Sequence, residues 1–282
     1  MRSIQPPEKA GTGNLRLILI LGMLMALGPF IRWKDDRLVE TLKRLRITFV
    51  LSLLTAAAVP LLMGRWSTMA AFGVLLAAWL GYACVGHLLA RIRSASGIGV
   101  MAKMRNVSKA YYGMVLAHFG VAVFIFGVTM VKTYEIDRDV RMEPGDTSEL
   151  AGYTFRFVHV GEVRGPNYVA ARGIIDVMKG DRKVDTLHPE KRMYLVQQMP
   201  MTEAAIDRGF TRDFYVSLGE AVSETAWVVQ LRLKPFVNWI WIGCVIMALG
   251  GLLAIIDRRY RAVATKTAGD SVSSGAVASP VR

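Results

Sequence analysis

From Tyr111 to Val131 the chain carries no Lys, Arg, Asp or Glu, and the run holds one histidine, His118. A bilayer core needs about 20 consecutive apolar residues to be crossed by a helix, and this run has that length. A segment of this kind has few alternatives, because only a helix satisfies its own backbone hydrogen bonds in lipid. An ionisable group inside such a span is costly, so His118 is a functional candidate from the outset. A neutral imidazole is also a good ligand for haem iron.

The rest of the chain is consistent with a membrane protein that carries a soluble part. Of its 282 residues 53% are hydrophobic, and mean hydropathy is +0.35. The 35 Lys and Arg exceed the 22 Asp and Glu by 13. In a membrane protein this excess reads first as topology. No basic stripe with interleaved aromatics appears, which argues against a nucleic-acid partner. The two cysteines, Cys84 and Cys244, fall in apolar runs and read as small buried hydrophobes. There is no C-x-x-C and no C-x-x-C-H, so the chain is neither a thioredoxin-like redox protein nor itself a c-type cytochrome.

Five segments qualify as spans: about Leu15–Ile31, Ile47–Met63, Thr68–Leu89, Tyr111–Val131 and Pro235–Ile256. The first lacks a basic leader and reads as a retained helix, not a cleaved signal peptide. Basic residues set the orientation. Arg32, Lys34, Arg37, Lys43, Arg44 and Arg46 follow the first span, Arg91, Arg93, Lys103, Arg105 and Lys109 follow the third, and Arg258, Arg259 and Arg261 follow the fifth. These segments are expected inside, with the N-terminus and the stretch from about Lys132 to Lys234 outside. Trp239 and Trp241 read as an outer interfacial belt.

The expected architecture is therefore an α-helical bundle of five transmembrane helices with an inserted β-rich outer domain. Its parts are 1–131 with helices one to four, 132–234 as the β-rich domain, 235–261 as the fifth helix, and 262–282 as a disordered cytoplasmic tail. Strands are expected at Tyr153–Val160, Tyr168–Met178, Lys183–Leu187, Arg192–Gln197 and Trp227–Leu233. A sheet of this size closes as a barrel or a sandwich, and the pattern does not separate the two.

Chemistry concentrates on His118. Gly113, Ala117 and Gly120 recur at helical spacing beside it, and small residues admit either a neighbouring helix or a flat macrocycle. His118 reads either as an axial ligand to haem iron or as a neutral histidine hydrogen-bonded within the bundle. His87 reads as an interfacial histidine near a basic loop, with a second haem ligand at comparable depth as the alternative, and His159 and His188 read as surface or satisfied histidines. Lys191, Arg192, Arg208 and Arg212 read as a solvated surface, with haem propionates or a partner's acidic face as the functional alternative. No carboxylate spacing specifies an acid–base pair.

A set of short stretches in order then points to a family. These are Gly28-Pro29-Phe30-Ile31-Arg32-Trp33, Gly113-Met114-Val115-Leu116-Ala117-His118, Arg138-Asp139-Val140-Arg141-Met142 and Gly165-Pro166-Asn167-Tyr168. Pro189-Glu190-Lys191-Arg192, Thr202 to Asp207, Lys234 to Trp241, Gly250-Gly251 and Asp257 to Arg261 continue the series. Over Gly28 to Arg261 the chain resembles the C-terminal portion of the cytochrome c maturation haem lyases, the CcmF/NrfE family.

The resemblance implies a bacterial inner-membrane protein that takes part in covalent attachment of haem to apocytochrome c. It implies that His118 is one axial ligand of an internal b-type haem; the helical spacing then offers Gly113, Ala117 and Gly120 as the expected close-approach face. The family's tryptophan-rich outer loop, its flanking histidines and its first transmembrane histidine have no counterpart here. The chain is therefore expected to be one half of a split lyase or a truncated copy, inactive alone and sharing its haem with a partner chain. Expected partners are the N-terminal half, the haem chaperone, apocytochrome c with its thiol-handling partner, and membrane lipid. The alternatives are a non-catalytic scaffold of the assembly complex and, last, a transporter subunit.

Overall fold

The computed structural model describes residues 38–93, 99–196 and 198–257. The first expected span and the C-terminal tail lie outside the described residues. The chain divides into two compact units, one ending at Phe126 and resuming at Ile240, the other Gly127–Trp239.

The first unit is helical. Helix α1 spans Leu38–Leu62, α2 Thr68–Arg93, α3 Val100–Asn106, and α4 begins at Lys109 and runs to Tyr134. Helix α5 is Val237–Ile255. Among the described residues three helices are long and apolar enough to cross a membrane: α2, α4 and α5. Of the five expected spans the third, fourth and fifth are thus met, the second falls short in apolar length, and the first lies outside the described residues. In α1 the apolar stretch is the shorter Arg46–Leu62, and the helix begins well before it, in a basic segment. The short α3 in the basic connection was not expected.

Small polar groups and aromatics seat α1 on α2. Ser52 is buried and turns its hydroxyl back to the Thr48 carbonyl at 2.7 Å. Thr55 meets the Tyr82 hydroxyl at 2.9 Å, and Phe49 stands edge-on to Trp79 with centroids 5.8 Å apart. Such bonding satisfies side-chain polar groups that lipid would leave unpaired.

The second unit is a β-sandwich. Its strands are β1 Ile136–Met142, β2 Thr147–Leu150, β3 Tyr153–Arg164, β4 Tyr168–Lys179, β5 Arg182–Leu187, β6 Glu190–Tyr194, β7 Pro200–Glu203, β8 Ala205–Arg208, β9 Arg212–Ala221 and β10 Trp227–Pro235. Four strands pair in the order β1-β10-β9-β8, and six form the second sheet as β2-β3-β4-β6-β7 with β5 also on β4. All pairings are antiparallel. β4 is shared because the chain leaves β5 through His188-Pro189: Ile175–Lys179 pair with β5 and Tyr168–Arg172 with β6.

Period-two alternation builds the core. Phe155, Phe157, Ile175 and Val177 from one sheet meet Phe214, Val216, Leu218, Val229 and Leu231 from the other, all buried. Phe214 stands edge-on to Phe155 at 5.2 Å and to Tyr153 at 4.9 Å. The closure left open between barrel and sandwich is therefore a sandwich.

Candidate functional site

His118 sits mid-way along α4 and is half-buried. Its Nδ1 lies 2.8 Å from the Met114 carbonyl one turn back. A carbonyl only accepts, so Nδ1 holds the proton in this bond. In a neutral ring the lone pair then resides on Nε2. Fixing one ring nitrogen in this way sets the orientation of the other, which is how metal-binding histidines are commonly held.

The small-residue stripe of α4 faces α5. A Cβ added at Gly113 would lie 2.5 Å from the Gly250 carbonyl oxygen, and one at Gly120 would lie 2.7 Å from the Met247 nitrogen. Reciprocally, a Cβ at Gly250 would meet the Ala117 nitrogen at 2.5 Å, and one at Gly243 the Phe124 nitrogen at 2.6 Å. Backbones this close require small residues on both helices. The stripe of Gly113, Ala117 and Gly120, open in sequence between a helix and a macrocycle, is packed against α5. At 3.6 residues per turn His118 points roughly a third of a turn away from that stripe. Ala122, one turn on, packs with Trp79, Leu80, Ala83 and Cys84 of α2. Val115 and Val121 pack on the same cluster, so His118, which falls between them on the helical wheel, lies on the side of α4 turned to α2.

Two further features lie at the N-terminal end of α4. The Tyr111 hydroxyl pairs with Nδ1 of His87, the two rings stack with centroids 5.4 Å apart, and Arg91 lies 5.9 Å over the Tyr111 ring. The buried Asp257 carboxylate accepts a hydrogen bond from the Ala110 N–H at 3.0 Å. It satisfies one of the orphan donors of the first helical turn. A cavity of about 650 Å³ opens beside them, lined by Ser108, Ala110, Tyr111, Met114, Ala254 and Ile255. Met114, whose carbonyl holds His118, belongs to that lining. Among the described residues Trp79 Nε1 is the buried side-chain donor without a hydrogen-bond partner.

In the sandwich the ionisable residues mostly serve the fold. Lys191 pairs with Glu220 at 2.5 Å, Arg192 with Glu190 at 2.7 Å, and Arg212 with Asp207 at 2.5 Å. Arg208 is exposed, as are His159 and His188. Two carboxylates are buried, Asp176 and Glu190. Burial would raise the Asp176 carboxyl, but hydrogen bonds from Lys183, Arg156 and Thr186 outweigh it and hold it down at about 2. Glu190 is likewise driven up by burial and brought net below the usual carboxylate range by Arg192 and Arg172. Among the described residues no group of three or more His, Cys, Asp or Glu is placed to hold a metal ion.

Asp257 and the Tyr111–His87 pair escaped the sequence reading. The first acts 147 residues away on Ala110, beyond any local pattern. The second had a signal, two polar rings at neighbouring span ends, but no sequence rule pairs them.

Membrane-crossing helices interrupted by an antiparallel sandwich define a multi-pass membrane protein with one folded extramembrane insertion. The family described as the CcmF C-terminal β-sandwich matches residues 133–235. The cytochrome c-type biogenesis protein CcmF of Pseudomonas aeruginosa is 44% identical over 249 residues, covering 88% of this chain and 37% of that protein. Its Escherichia coli K12 namesake is 38% identical over 246 residues, covering 87% and 37%. The cytochrome c-type biogenesis protein NrfE of Haemophilus influenzae is 32% identical over 157 residues, covering 56% and 25%. A solved cytochrome c haem lyase CcmF shares the fold, with a TM-score of 0.67 at 20% identity over 86% of this chain and 40% of that one. Residues 133–235 belong to the CcmF C-terminal β-sandwich family, and the chain as a whole matches the C-terminal part of the CcmF/NrfE cytochrome c-type biogenesis proteins. It spans 37% of the length of the two CcmF relatives.

Proposed function

We propose that this chain is the C-terminal part of a cytochrome c haem lyase of the bacterial inner membrane, and that His118 supplies one axial ligand to a b-type haem. The observation that carries the reading is the tether of Nδ1 to the Met114 carbonyl at 2.8 Å, which leaves Nε2 as the nitrogen with a lone pair. The residue fits a haem: its ring is half-buried in a membrane helix, its tautomer is set, and it faces away from the α4–α5 crossing. Haem held by two imidazoles supplies one-electron chemistry. Within this chain His118 would hold the iron, the Met114 carbonyl would orient the ring, and the α4–α5 glycine contact would fix the helix that presents it. The second donor comes from the portion that the longer relatives carry and this chain does not span. That same portion, as a separate N-terminal half, would complete ligation with apocytochrome c, its thiol-handling partner and the haem chaperone. The sandwich would lie on the periplasmic side and help to position them.

The test is co-expression with an N-terminal half and purification of the complex. Wild type is expected to show a Soret band that His118→Ala abolishes, while the two polypeptides still co-purify. An unchanged Soret band in His118→Ala would leave only the scaffold reading.

A further inference from the structure

The β8–β9 turn, Gly209-Phe210-Thr211, carries an aromatic that the sandwich does not use. Phe210 is 66% exposed, and Trp239 is its ring neighbour, with centroids 5.6 Å apart. Its backbone, by contrast, is tightly fixed. The start of α5 grips each residue of the turn in succession. Asn238 Nδ2 donates to the Gly209 carbonyl at 2.6 Å, Trp239 Nε1 to the Phe210 carbonyl at 3.1 Å, and the Phe236 N–H to the Thr211 carbonyl at 3.0 Å. Asp213, buried, accepts from Gly209 N–H at 3.0 Å and from Asn238 at 3.3 Å. Phe236 adopts φ +59°, a left-handed conformation uncommon for a residue with a side chain, to make this junction. Gly209 has no alternative, since a Cβ there would lie 2.6 Å from the Arg212 carbonyl oxygen.

α5 is a membrane-crossing helix by length and composition. Its first turn, where Trp239 sits, must therefore lie at the boundary between headgroups and hydrocarbon. A turn bonded residue by residue to that first turn lies at the same depth. An aromatic ring at that depth is favoured where its face meets acyl chains and its polar neighbours meet water.

We propose that the Phe210 turn is a membrane anchor of the sandwich: Phe210 and Trp239 together insert into the lipid interface of the leaflet that α5 enters, with the exposed Arg208 placed for a lipid phosphate. The occupant of this surface is phospholipid. The inference rests on α5 being a span and not on His118.

The test uses the full chain in phosphatidylcholine nanodiscs, with Cys84→Ala and Cys244→Ala. A nitroxide is attached at Phe210→Cys and, as a reference for water, at Asp181→Cys in the exposed β4–β5 turn. Power-saturation EPR then compares collision with oxygen, which partitions into lipid, and with a neutral nickel chelate, which stays in water. The label at 210 is expected to collide preferentially with oxygen and the label at 181 with nickel. The same comparison at Thr211→Cys serves if the first variant does not fold. Equal oxygen-to-nickel ratios at the turn and at 181 would place the turn in water and overturn the proposal. Low access to both reagents would mean that protein covers it and would overturn it equally.

Discussion

Replacing Gly250 by alanine adds one methyl group at the tightest point of the α4–α5 crossing. That methyl carbon would stand 2.5 Å from the Ala117 nitrogen, 2.7 Å from the Gly113 carbonyl oxygen and 2.9 Å from the Ala117 Cα. All three neighbours are backbone atoms, so no rotamer change relieves the overlap. Non-bonded heavy atoms are comfortable at about 3.5–4.0 Å, so the helices must part by about 1 Å. Parting them forfeits dispersion contacts along the whole seam from Gly113 to Phe124. Overpacking of this kind costs about 1–3 kcal/mol. The adjacent Gly251 is a matched control, because a Cβ there meets nothing within 4 Å. In titration of the full chain from mild detergent into SDS, Gly250→Ala should unfold at a lower SDS fraction than wild type. Gly251→Ala should unfold with wild type or slightly later, since alanine also favours helix. Equal midpoints for the two variants would refute the reasoning that backbone contact fills this stripe.

Two other outcomes follow from the sandwich. Its folded Asp176 carboxyl is held at about 2, below its ordinary 3.8, so the stabilisation is complete above that ordinary value and is lost as pH falls through the interval between them. The thermal midpoint of the sandwich transition should drop across that interval, and Asp176→Asn should flatten the drop. Phe157→Ala empties a fully buried site between the sheets and should cost about 3–5 kcal/mol, read as an earlier loss of β-sheet circular dichroism on heating.

The sequence carried the large features because they have strong periodicity or length. α2, α4 and α5 announce themselves by unbroken apolar runs, and β3, β4, β5 and β10 by branched and aromatic alternation between turn residues. The expected strand at 192–197 is displaced to Glu190–Tyr194 because Leu195 and Val196, though apolar, form the turn into β7. β1 went unseen because its Asp137-Arg138-Asp139 stretch is exposed on an edge strand, with Met142 its one buried side chain. β9 did show Phe214, Val216 and Leu218 at period two. Its leading Arg212-Asp213 hid it, and Asp213 is buried only because Gly209 and Asn238 both donate to it. At the candidate site His118 was legible as an ionisable group in a span. Its tautomer was not, since that rests on the Met114 carbonyl. Nor could sequence decide what covers Gly113, Ala117 and Gly120, because a helix and a macrocycle ask for the same small residues.

The most direct test of the central claim is chemical rescue of the axial position. The chain carrying His118→Gly is purified with an N-terminal half, and its visible spectrum is recorded before and after addition of imidazole. If Nε2 of His118 holds the iron, the variant loses the six-coordinate low-spin haem spectrum and free imidazole restores it. A variant that retains the wild-type spectrum without imidazole would contradict the account.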